Sequence, residues 1–435
     1  MRSGLMFRIV GLALALMLFG AACASSNGSD TGAAGGSGSG TSNEDSDDMS
    51  MSPDTEDGDA TASAASVETP AATLVRDLTA LLKQHEYHAA IALYTAVQAG
   101  GDLEDPTVQA AVKALDDNTK NLGAAIGSIY GNAAEKKFLA SWRAHIGFFV
   151  DYTLAKATGD DAAAKKALKD LDGYRADFGA LIEGATEGEL TQDAVAEALK
   201  PHVESTIDVI DSLVAGKGDV FDKLRVAASH LPNIATALAG GIAAQQDLEG
   251  SVDDPATMLQ RDLTALLQGH EYFAGIALYT AVQAKGDLKD PVVAAAVKEL
   301  DDNSVDLAEA IESVYGPEAG KQFLDLWRAH IGFFVDYTLA KATGDEMAAK
   351  KAQKDLDGYR RDFGALIEGA TEGGLSQDAV AEALDVHVNS TIAAIDSIVA
   401  ADGKAFDKLQ EAAMHLPGLA TTLSGAIVEQ FPEKF

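Results

Sequence analysis

Apolar residues recur at three- and four-residue intervals along most of the chain, and Pro and Gly divide that pattern into segments of helical length. In the first segment Leu74, Leu78, Leu81, Ala89, Ala92 and Ala96 follow helical spacing, the mark of a helix with one buried stripe. Six helical segments are read this way, near residues 72–99, 106–130, 133–158, 161–184, 191–216 and 219–245. They are rich in Ala, Leu, Lys, Glu and Asp, and no run of alternating β-branched residues argues for strands. Asp105-Pro106 and Asp290-Pro291 each read as a cap followed by proline at the first helical position.

The whole pattern then repeats. His85 and His270, His145 and His330, His202 and His387, and His230 and His415 are each separated by 185 residues, with no net insertion. A constant offset of this kind marks a tandem duplication. The predicted fold class is therefore all-α: two tandem homologous helical bundles of about six helices each, after a disordered tether. The expected organisation is a signal peptide at 1–22, an acidic tether at 23–70, copy one at 71–246, a linker at 247–256 and copy two at 257–435.

The histidines carry the candidate chemistry. His85 fills the empty slot in the apolar series of the first segment, and His145 fills the gap among Phe138, Trp142, Phe149 and Tyr152. His202 shares a face with Val195, Leu199, Val209 and Leu213, although Val203 and Ile207 broaden that face. His230 lies beside Ala227 and Ile234, just before Pro232, and His415 stands in the same relation to Pro417. A proline there removes a backbone bond and is expected to bend the helix near the histidine. The ninth histidine, His88, is matched by Phe273.

An imidazole on an apolar face must satisfy two nitrogens, through hydrogen bonds or through a metal. One inward histidine reads as a packed core residue, whereas four on different helices point to a site. The candidate ligands are His85, His145, His202 and His230 in copy one, and His270, His330, His387 and His415 in copy two. Three carboxylate pairs keep their identity between copies and remain candidates: Asp77 and Asp262, Asp151 and Asp336, and Glu86 and Glu271. Asp208 becomes Ala393 and is a poor shared ligand. An all-histidine set suits borderline ions of the copper or zinc class, one per repeat, and non-covalent haem is a further alternative.

Other chemistries lack their motifs. No Glu-x-x-His pair, His-Glu-x-x-His zinc motif, Gly-rich phosphate loop or nucleophile elbow is found. Nothing indicates catalysis. The formal net charge of −34 repels nucleic acid and anionic lipid.

At the N-terminus, Arg2 and Arg8 flank an apolar run, Ile9 to Phe19, that is too short to span a bilayer comfortably. The run ends in Gly20-Ala21-Ala22-Cys23, which resembles a bacterial lipoprotein processing box, with Gly20 in place of the usual leucine. Cys23 is the single cysteine of the chain, so lipidation explains it better than an unpaired thiol outside the cell. The Ser, Gly, Asp and Thr that follow cannot bury a core and read as a flexible tether. The expectation is an exported protein anchored by lipid alone on the outer face of a bacterial membrane.

The series HEY, WRAHIGFFVDY, HV and HLP resembles a helical module of secreted bacterial proteins, some labelled by association with copper amine oxidase-like stalk domains. The resemblance covers both copies but not the tether, implies neither an oxidase nor any ligand residue, and gives weak weight to metal over haem. Two functions follow from the residues: a surface-tethered transition-metal protein, or a non-catalytic structural or interaction module whose histidines are merely packed.

Overall fold

A computed structural model describes residues 65–435. The signal peptide, Cys23 and nearly all of the tether lie outside the described residues. After a short 3₁₀ turn at Ala65–Glu68, copy one consists of α1 (Pro70–Gln98), α2 (Pro106–Tyr130), α3 (Asn132–Thr158), α4 (Asp161–Ala185), α5 (Gln192–Val214), α6 (Val220–Ser229) and α7 (Leu231–Gln246). Copy two repeats it as α8 (Pro255–Gln283), α9 (Pro291–Tyr315), α10 (Pro317–Thr343), α11 (Glu346–Ala370), α12 (Gln377–Ala400), α13 (Ala405–Ala413) and α14 (Leu416–Gln430). The described residues contain no strand.

Local chemistry accounts for the boundaries. Asp105 Oδ1 accepts from the backbone N–H groups of Thr107 and Val108 at 2.7 and 3.3 Å, and Asp290 caps α9 in the same way. Gly159, at φ 74°, closes α3 in the left-handed conformation. Gly179 and Gly364 have another role: a Cβ at either would run into the backbone carbonyl of Gln192 or Gln377, so only glycine lets α4 and α5, and α11 and α12, approach so closely.

Each copy has seven helices rather than six, because the last segment is interrupted at His230 and at Met414–His415, beside Pro232 and Pro417. Pro232 has no N–H to offer the carbonyl four residues back, Ala228. That carbonyl is bonded instead by the buried Lys83, whose Nζ donates to it at 3.2 Å. In copy two Pro417 leaves the carbonyl of Ala413, and Gln268 Nε2 donates to it at 2.7 Å. Two different side chains from the first helix of each copy thus satisfy the same gap. Burial pushes the Lys83 ammonium down to about 8.

One core cluster spans the two copies, while each keeps further core clusters of its own. α1 packs on α2 and α7 of its own copy and directly on α8, the first helix of the other. Tyr87 and Tyr272, equivalent residues, stack with ring centroids 4.9 Å apart, and Ile91, Phe221, Phe273, Ile276 and Phe406 continue the cluster across the boundary. The contacts are reciprocal, since α6 touches α9 while α13 touches α2, the arrangement of an isologous dimer fused into one chain. Arg225 of α6 reaches Glu299, Asp302 and Asp306 of α9 at 3.0, 3.8 and 3.2 Å. Lys113 of α2 meets Asp407 of α13 at 2.9 Å. As a result the middle of α1 is enclosed on every side, and Leu82 through His88 are all buried. No helix of the described residues is long and apolar enough to cross a membrane.

Candidate metal centre

In copy two three helices deliver one histidine apiece to a common point, and in copy one the equivalent helices carry the equivalent rings. In copy one these are His85 on α1, His145 on α3 and His202 on α5, and in copy two His270 on α8, His330 on α10 and His387 on α12. All six rings are buried. His85 Nε2 lies 3.3 Å from His145 Nε2, and His270 Nε2 lies 3.2 Å from His330 Nε2. In copy two one nitrogen from each of His270, His330 and His387 falls within 4.8 Å of the others. Among the described residues only this trio closes so tightly.

Aromatic rings hold the imidazoles in place. Tyr174 stacks on His145 and Tyr359 on His330, with centroids 4.8 and 4.7 Å apart. The edge of Trp142 meets both His85 and His145 at 4.9 and 4.6 Å, and Trp327 repeats the contact in copy two. Tyr174 and Tyr359 therefore act by stacking, and their hydroxyls take no hydrogen bond from the cluster.

The fourth polar group is a glutamate. Glu86 follows His85 on α1 and puts Oε2 3.4 Å from His202 Nδ1, and Glu271 stands 3.5 Å from His387 Nδ1. Thr206 and Thr391 donate their hydroxyls to these carboxyls at 3.3 and 3.4 Å. Of the three matched carboxylate pairs only this one reaches the histidines. Asp77 and Asp262 pair with Arg76 and Arg261 near the surface, and Asp151 is only half-buried.

Burial sets the protonation of the whole group. It holds His85 and His270 down at about 3 and His202 and His387 at about 4, and pushes His145 and His330 well below the ordinary imidazole range. The same desolvation raises Glu86 to about 7 and Glu271 to about 8. At neutral pH the cluster is three bare imidazoles beside a carboxyl poised to ionise. Neutral imidazole is the form that binds metal.

His230 and His415 do not join. They sit at the junctions between α6 and α7 and between α13 and α14, His230 half-buried and His415 exposed. Both lie at the interruption itself, and neither reaches the buried class that the apolar stripe predicts. His88 has a different partner, taking a 2.8 Å hydrogen bond with the hydroxyl of Tyr272 across the boundary between copies.

The donors suit a metal. Two imidazole nitrogens bound to one tetrahedral ion at about 2.0–2.1 Å would stand roughly 3.3–3.4 Å apart, and the observed separations are 3.3 and 3.2 Å. Moreover, Nδ1 of His202 and His387 has no hydrogen-bond partner of good geometry, a costly state for buried polar atoms that ionisation of the nearby Glu86 and Glu271 would relieve. No protein-family model matches this chain, and neither a curated protein nor a solved structure matches it.

Proposed function

We propose that this is an exported, lipid-anchored protein that binds one transition-metal ion of the copper or zinc class in each repeat. His85, His145 and His202 serve copy one, and His270, His330 and His387 serve copy two. The observation that carries the reading is the pair of buried Nε2 atoms at tetrahedral ligand spacing, present in both copies, with a third imidazole closing the group in copy two. A divalent ion there would favour the ionised form of Glu86 or Glu271. The carboxylate would then accept from Nδ1–H of His202 or His387 and leave Nε2 of that ring for the metal, the usual carboxylate–histidine–metal relay. Export and anchoring rest on the N-terminal sequence alone.

A second reading rests on the same distance, because 3.2–3.3 Å also suits a hydrogen bond from one protonated Nε2 to one bare Nε2. The chain would then be an acidic helical module with packed histidines. Haem finds no room beside the rings, where the cavities measure about 40 and 60 Å³, against roughly 300 Å³ or more for a cofactor pocket. Elemental analysis after loading with copper or zinc separates the two remaining readings: about two tightly held ions per chain support the centre, and none removes it.

A further inference from the structure

Next to each histidine cluster lies a small crevice, and the two crevices are built from equivalent side chains. In copy two Ala277, Leu300, Ile331 and Phe334 form its walls, and His270, His387, Glu271 and Thr391 form one end. In copy one the residues 185 positions earlier do the same. The mouth in copy two runs past Leu288 and Val297, which are 46% and 42% exposed and belong to the few large aliphatic side chains left in solvent. The crevice thus joins solvent to the histidines through an apolar passage.

We propose that this crevice is a binding site for one small neutral diatomic gas of the dioxygen class, held against the histidine centre. Three observations select the ligand. Cavities of about 60 and 40 Å³ take two or three light atoms and exclude organic substrates. Walls that are almost wholly aliphatic and aromatic penalise any ion, which would shed its hydration without a partner. The polar end is made of His270 and His387, two of the three proposed ligands, with Glu271 and Thr391, so a molecule in the crevice would lie beside the centre and meet little else that is polar. What the gas does there rests on the metal reading above, but whether it binds does not.

Crystals of the metal-free chain under xenon pressure test the site by itself. Xenon is expected in both crevices, and Ala277→Leu, which fills the copy-two crevice, should remove that peak while the copy-one peak persists. Absence of xenon from both crevices in the unaltered chain would overturn the proposal. The second arm loads the chain with Fe(II) and adds nitric oxide. The iron–nitrosyl paramagnetic signal should fall by about half in Ala277→Leu, or in Val297→Trp at the exposed mouth, with iron content unchanged. A signal of full strength in both variants would also overturn it. Failure to hold iron would count against the metal reading, and xenon would still decide this one.

Discussion

His270 Nε2 stands 3.2 Å from His330 Nε2 in the buried interior of copy two, and the same two rings in copy one are 3.3 Å apart. They come from helices separated by 60 residues of chain. Bundle packing brings them to ligand spacing, and most of the testable consequences follow from that closeness.

Removing one ring should empty one repeat only. His330→Ala is expected to lower the tightly bound copper or zinc from about two ions to about one per chain, and His145→Ala with His330→Ala to none. His415→Ala should leave the stoichiometry unchanged, because His415 is exposed at the α13–α14 junction. Elemental analysis of purified variants checks all three. Equal losses from His415→Ala and His330→Ala would contradict the assignment.

Glu271→Gln isolates the carboxylate. With the anionic partner of His387 gone, affinity at the copy-two centre should drop about 10–100-fold. Binding there should also lose its pH dependence between about 6 and 8, since Glu271, raised to about 8, no longer has to ionise. Competition against a chromophoric chelator across that range, with copy one as internal control, gives the measurement.

Stability should pass through a maximum near pH 6.5 in the metal-free chain. Six clustered histidines and His88 have folded-state values below the unfolded reference. Their contribution is complete above about 6.5 and is lost as pH falls, by about 2 kcal/mol for each ring by pH 5. Glu86 and Glu271 run the other way, favouring the fold while protonated and losing that contribution as pH rises through about 7 and 8. Calorimetric melting from pH 4 to 9 should show a steep acid limb and a shallow alkaline one. A melting temperature unchanged between pH 7 and 5 would rule out burial of these rings.

Between the copies, Tyr272→Phe should cost about 1–3 kcal/mol, because it strands His88 Nε2 in the core. His88→Phe should cost a similar amount by stranding the Tyr272 hydroxyl. Together the two changes should cost clearly less than their sum, since each removes the polar group the other leaves unpaired. Urea denaturation of the four proteins of this cycle reads the coupling directly, and additive losses would refute the hydrogen bond.

Much of the site was legible in advance. His85, His145 and His202 each filled a gap in an apolar stripe, and each is indeed buried. The stripe did not bury His230 and His415, which sit where the helix is interrupted beside Pro232 and Pro417. Glu86 was only one of three matched carboxylates, because it lies off the stripe of α1. It is buried because α5 of its own copy brings His202 and Thr206 against it.

Periodicity, proline and a 185-residue offset were enough to determine an all-α chain made of two copies and to point most of the histidines inward. Those are local properties, set by which face of one helix is apolar. Which rings meet, which carboxyl joins them, and the fusion of two repeats through Tyr87 and Tyr272 were decided only by tertiary packing. Such contacts depend on how separate helices cross, and no spacing within a single segment records that.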